Sequence, residues 1–127
     1  MEKSNKMITK KEKIQKQLLQ ETENIAKQLL KDIGMKIHCI GFNYWLAAIN
    51  TTIDIHIHRR QQPKIMQLYY LIAKKYKTSI SNVRKAMTYA YNNLDLNQYF
   101  NVTCKINNTA LLFLLKEATL QKLKATI

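Results

Sequence analysis

The chain has 127 residues, room for one compact domain and little more. Its 21 Lys and Arg against 8 Asp and Glu give a formal charge of +13, which favours a polyanionic partner. The charged N-terminus has no apolar core, the longest apolar run (Ala110–Leu115) is far shorter than the roughly 20 residues a bilayer requires, and Cys39 and Cys104 are single, widely spaced thiols. A signal peptide, a membrane span and a disulfide framework are therefore excluded, and the expectation is a soluble protein of the reducing cytoplasm, at the nucleoid, with both cysteines buried as small hydrophobes.

Two Gly and one Pro in the whole chain predict an all-α fold with few tight turns. Residues 1–24 read as a basic helical extension, polar and frayed over 1–13, ahead of a single domain over 25–127. From Ile14 the apolar positions Ile14, Leu18, Ile25, Leu29 and Ile33 recur at helical spacing with a gap at Thr22. Gly34 is placed to end that helix as a left-handed cap. Met35 to Ile40 reads as an extended connector, and Phe42 to about Ile53 as a buried helix carrying Tyr44, Trp45, Ala47, Ala48 and Ile49.

Ile53 to His58 alternates apolar and polar residues with period two, which predicts a strand or extended loop. Pro63 suits the first turn of a helix running to about Tyr76, with Ile65, Leu68, Tyr69, Ile72 and Tyr76 on one face. Thr78 or Ser79 caps the next helix, which reaches about Asn93. Asn107 or Asn108 caps a final helix, Ala110 to about Lys124, whose uniformly apolar start predicts the central core element.

The spacing over Tyr69–Thr88 is that of a helix-turn-helix: Ile72 and Ala73 lie midway along a first helix, Val83 and the small Ala86 on the inner face of a second. This stretch falls within residues 55–94, which contain no Asp or Glu but eight basic residues: Arg59, Arg60, Lys64, Lys74, Lys75, Lys77, Arg84 and Lys85. An acid-free basic segment and a helix-turn-helix pattern are independent signals, and both point to a polyanion. On the second helix Asn82, Arg84 and Lys85 share a turn, and Ser81 and Thr88 extend their surface. Arg pairs with guanine O6 and N7 and Asn with adenine N6 and N7, while Lys or Ser holds phosphates. Lys74, Lys75 and Lys77 end the first helix where such motifs meet the backbone, with Thr78 and Ser79 in the turn; Arg59 and Arg60 form a further phosphate clamp.

Other chemistry is thinly supported. Asp54, His56 and His58 alternate so that a strand would present both imidazoles on one side, but zinc usually takes four ligands and no further Cys or His lies nearby, so no metal is expected. His38 reads as a hydrogen-bonded packing residue. Trp45 and the tyrosines at 69, 70, 76, 89 and 91 suit base stacking in a single-strand binder, yet most recur at helical spacing and read as core. There is no triad, no Gly-rich phosphate loop and few carboxylates, so neither enzyme activity nor a cofactor is expected.

Two separated blocks carry a resemblance. The first is Ile33-Gly34-x-x-x-His38-x-x-Gly41-Phe42-x-Tyr44-x-x-x-Ala48-Ile49; the second is Ile72-Ala73-Lys74-Lys75-Tyr76 followed by Thr78, Ser81, Val83 and Ala86. With a weaker match from Phe100 into the last helix, residues 25–124 resemble the C-terminal DNA-binding domain of the stage-zero sporulation regulator of endospore-forming bacteria. The resemblance implies about six helices around a helix-turn-helix that enters the major groove. It places the base-reading positions at Asn82, Arg84, Lys85 and Thr88. Where the family regulator has an arginine, a glutamate and further arginines, this chain has Asn82, Arg84 and Thr88, and Lys85 alone keeps its charge. The family's receiver domain has no counterpart ahead of residue 25, so phosphorylation-driven dimerisation does not carry over, and Thr51–Leu71 is about two residues longer than in the family.

The expectation is a sequence-specific DNA-binding transcriptional regulator of sporulation or a related programme. Its expected partners are double-stranded DNA, a second copy paired on DNA through the Ile14–Ile33 stripe, and RNA polymerase. The alternative is an interaction protein that pairs with a full-length regulator and does not itself read DNA.

Overall fold

The computed structural model describes residues 10–101 and 105–126; Cys104 and residues 1–9 lie outside these. The described residues form an all-α fold with six helices: α1 Lys10–Asp32, α2 Ile40–Ile57, α3 Ile65–Lys75, α4 Ile80–Tyr91, α5 Asn97–Phe100 and α6 Asn108–Thr126. Among the described residues no helix is long and apolar enough to cross a membrane.

The centre of the core is α2, with Trp45, Ala48, Ile49 and Ile53 fully excluded from solvent. This helix packs against α1, α3, α4 and α6. The apolar start of α6 had predicted that α6 would be central. Instead α6 buries Leu111, Leu112 and Leu115 while leaving Phe113 exposed. A helix covered on every side is apolar on every side. Helix α2 has four helical neighbours, whereas α6 packs against α1, α2 and α4.

Helix α1 is continuous from Lys10, so residues 10–13, read as frayed, are helical. Its buried stripe is Thr22, Ala26, Leu29, Leu30 and Ile33, while Ile14 and Leu19 are exposed and Leu18 and Ile25 half-buried. Thr22, which had read as a gap, is buried because its hydroxyl donates to the Leu18 carbonyl at 2.7 Å, leaving only its methyl to be packed.

Three helices end in the same Schellman geometry. At α1, Gly34 (φ 97°) donates to the Lys31 carbonyl and Met35 to that of Leu30. At α2, Arg59 (φ 54°) donates to His56 and Arg60 to Ile55; at α3, Lys77 (φ 54°) donates to Lys74 and Thr78 to Ala73. Only the first uses glycine. The strand expected over Ile53–His58 is therefore the last turn of α2 and its cap. With no glycine to mark the stop, two-residue alternation was the stronger local signal; burial of Thr52 and Ile53 against the core decides for helix.

Pro63 precedes α3 rather than opening it: Lys64 is the N-cap, and its N–H donates to the Gln67 side chain at 2.9 Å. Asn107 caps α6 by accepting from the Ala110 N–H at 2.8 Å. His38, expected to pack, is exposed in the turn before α2, and Cys39 is half-buried and free.

Candidate nucleic-acid interface

Helices α3 and α4 form the helix-turn-helix. Ser79 caps α4, its Oγ accepting the Asn82 N–H at 3.0 Å. Three contacts fix the attitude of α4. Val83 and Met87 are fully buried on its inner face. The Trp45 indole donates from α2 to the Met87 carbonyl at 2.8 Å, and its ring meets Tyr91 edge-on at 5.8 Å. Gly41 lies so close to α4 that a Cβ there would be 2.4 Å from the Ala86 carbonyl oxygen. The Ala86 carbonyl and the Ala90 Cβ, 2.7 Å from the same point, thus set how closely α2 approaches α4.

Opposite these contacts α4 exposes Ser81, Asn82, Arg84, Lys85 and Thr88. The five residues expected on the reading surface share one exposed face. Asn82 Nδ2 donates to the Thr78 hydroxyl at 3.1 Å, which orients the amide while leaving its second N–H and its carbonyl oxygen free for a bidentate contact. Thr88 is more constrained. Its hydroxyl lies 3.0 Å from the Arg84 carbonyl and 3.2 Å from Asn108 Oδ1, so its single proton is engaged and its methyl and oxygen lone pairs are what remain to offer. Asn108 in turn donates to the Tyr69 hydroxyl at 2.9 Å, tying α3, α4 and α6 together behind the surface.

Lys74 and Lys75 are exposed in the last turn of α3, with Lys77 at its left-handed cap and Thr78 and Ser79 completing the turn into α4. The residues expected to hold phosphates around the turn are therefore contiguous with the exposed face of α4. Arg59 and Arg60 are exposed at the far end of α2 and belong to a separate turn.

Two residues of this region were missed. Tyr89, read as core, is 73% exposed, and with Arg84, Lys85, Thr88 and Asn92 it lines a shallow depression along α4. Its spacing of four from Lys85 and eight from Ser81 was the available signal. Of the other aromatic residues, Trp45, Tyr69 and Tyr91 are buried as expected, whereas Tyr70 is exposed and Tyr76 partly so, packed edge-on against Tyr44 at 5.1 Å. Asn108 had no local signal, since its partners lie 20 and 39 residues away.

Burial pushes the Tyr91 phenol above its ordinary value, with Tyr69 adding to the effect. Among the described residues no group of three or more His, Cys, Asp or Glu could hold a metal ion. Asp54 and His58, four apart on α2, form a local pair at 3.2 Å, while the helical path turns the His56 ring away from the alignment a strand would have produced.

The model of one protein family, described as the sporulation initiation factor Spo0A C terminal, matches residues 26–113. No curated protein and no solved structure matches the chain.

Proposed function

We propose that this chain, which belongs to the Spo0A C-terminal family of DNA-binding sporulation regulator domains, reads duplex DNA sequence-specifically through α4 and regulates transcription in sporulation or a related programme. The family is one of regulatory DNA-binding domains and not of enzymes. The observation that carries the finer reading is the single exposed face of Ser81, Asn82, Arg84, Lys85 and Thr88, bordered by the lysines at the end of α3 and lying within a segment devoid of carboxylates.

In this reading Arg84 donates to guanine, Asn82 makes the bidentate contact to adenine, and the Thr88 methyl meets a thymine methyl. Lys85 and Ser81 contact bases or adjacent phosphates. Lys74, Lys75, Lys77, Thr78 and Ser79 hold one phosphate strand; the Ser79 and Thr78 hydroxyls accept within the protein and keep their own protons to donate. Arg59 and Arg60 serve a more distant stretch of backbone. Residues 25–127 carry this function, with 1–24 as an extension; a second copy on adjacent DNA and RNA polymerase are the further partners.

Selection of duplexes from a random pool, followed by binding titrations over a range of salt, tests the reading. The expected results are an enriched sequence containing G and A and a slope of log affinity on log salt of about −0.9 per phosphate contact. No enrichment and a flat salt response would favour the alternative, a protein that pairs with a regulator without reading DNA.

A further inference from the structure

Helix α3 turns Leu68, Tyr69, Ile72 and Ala73 into the core, and its opposite face is not polar. Met66, Tyr70 and Leu71 on that face are 55%, 54% and 48% exposed, and Phe113 on α6 is 58% exposed. With Pro63 and Gln67, the three α3 residues line an open depression of about 500 Å³. A second depression of about 210 Å³, between Ile65, Leu112 and Phe113, shares Pro63 as a wall. The two depressions meet at Pro63. They share no lining residue with the depression along α4.

Isolated exposed apolar residues are ordinary, but four large ones around two joined depressions form a patch of the kind that marks an interaction surface. The rim decides what covers it. Lys64 precedes α3, and Lys116 lines the second depression with its Nζ 5.4 Å from the Phe113 ring centre. Residues 55–94 supply no carboxylate to this rim. Glu117, 3.8 Å from Lys116, is the acidic neighbour on α6. A second copy would bring the same lysines against these, so like charges oppose a symmetric pairing. Duplex DNA would satisfy the lysines and leave the apolar floor uncovered.

We infer that the outer face of α3 with Phe113 of α6 is a docking groove for an acidic amphipathic segment of another protein, two of whose large apolar side chains fill the two depressions while its carboxylates meet Lys64 and Lys116. Apolar anchors flanked by charged residues are how an amphipathic segment occupies such a surface. Because the groove is separate from the α4 surface, the partner and DNA bind together.

The test uses the full chain as target for selection from a displayed library of random short peptides, followed by fluorescence anisotropy with the most enriched peptide after synthesis. Enrichment of Asp and Glu around two large apolar residues is expected. Tyr70→Ser with Phe113→Ser should weaken that peptide at least tenfold, Lys64→Glu should weaken it in a salt-dependent manner, and DNA affinity should stay within twofold of the parent for the serine pair. Both serine substitutions are at exposed positions, and circular dichroism of the variants verifies the fold. Three results overturn the inference: no enriched peptide sensitive to the serine pair, stronger capture by phosphatidylglycerol vesicles than by any peptide, or loss of self-association on serine substitution. DNA binding that fails in the parent chain would sink the proposed function and leave the groove standing.

Discussion

Replacing Gly41 by Ala tests whether the close approach of α2 to α4 sets the position of the reading helix. The new Cβ would lie 2.4 Å from the Ala86 carbonyl oxygen and 2.7 Å from the Ala90 Cβ. Neither neighbour is the end of a flexible side chain, so no rotamer change relieves the clash. Restoring a separation of 3.4 Å moves the two backbones apart by about 1 Å here. The Trp45–Met87 hydrogen bond, 2.8 Å long, spans the same contact and would be stretched beyond useful range. Overpacking of this kind costs about 1–3 kcal/mol and the lost buried hydrogen bond about 1 kcal/mol. Better helix propensity returns at most about 1 kcal/mol. The net expectation is a destabilisation of about 1–3 kcal/mol, seen in urea unfolding as a midpoint lower by roughly 1 M. Trp45 is the single tryptophan, so its fluorescence reports the same contact. DNA affinity should fall as well, because α4 no longer sits at its native angle. A midpoint equal to or above the parent's, with Trp45 emission unchanged, would refute the reasoning.

Further outcomes separate scaffold from interface. Lys77→Gly relieves a non-glycine left-handed position and should raise stability by up to about 1 kcal/mol, while reducing the salt slope of DNA binding by about 0.9; a fall in stability would contradict the cap geometry. Arg84→Ala should cost about 1–3 kcal/mol on the best site and relax discrimination at one base pair, whereas Lys74→Ala should weaken all duplexes about equally in titrations against the selected and a scrambled site. Tyr91 titrates above its ordinary value of 10.0 because of burial and then Tyr69, so the folded state favours the neutral phenol. The resulting stability is complete below the unfolded value and is lost as pH rises through the folded one. Unfolding free energy should therefore decline above about pH 10, and less steeply in Tyr91→Phe; equal slopes would exclude the residue as the cause.

Much of this protein was determined locally. Helical periodicity, Gly34, Ser79 and Asn107 act within a few residues of themselves, so they located four of the long elements, and the i, i+3 and i+4 spacing of Ser81, Asn82, Arg84, Lys85 and Thr88 placed those side chains on one face before any neighbour was known. What depended on contacts between distant segments was decided by the tertiary structure. The stop of α2 at Arg59 and the helical path of Ile53–His58 follow from burial against other helices, which outweighed a local alternation. The choice of α2 over α6 as the centre followed from which helix packs against four others. The Thr88 hydroxyl donating to Asn108, and the Ala86 carbonyl facing Gly41, depend on partners 20 and 45 residues away. A hydrogen-bond partner or a steric limit at that separation leaves no periodic trace in the chain; only the packing of α2, α4 and α6 brings it into being.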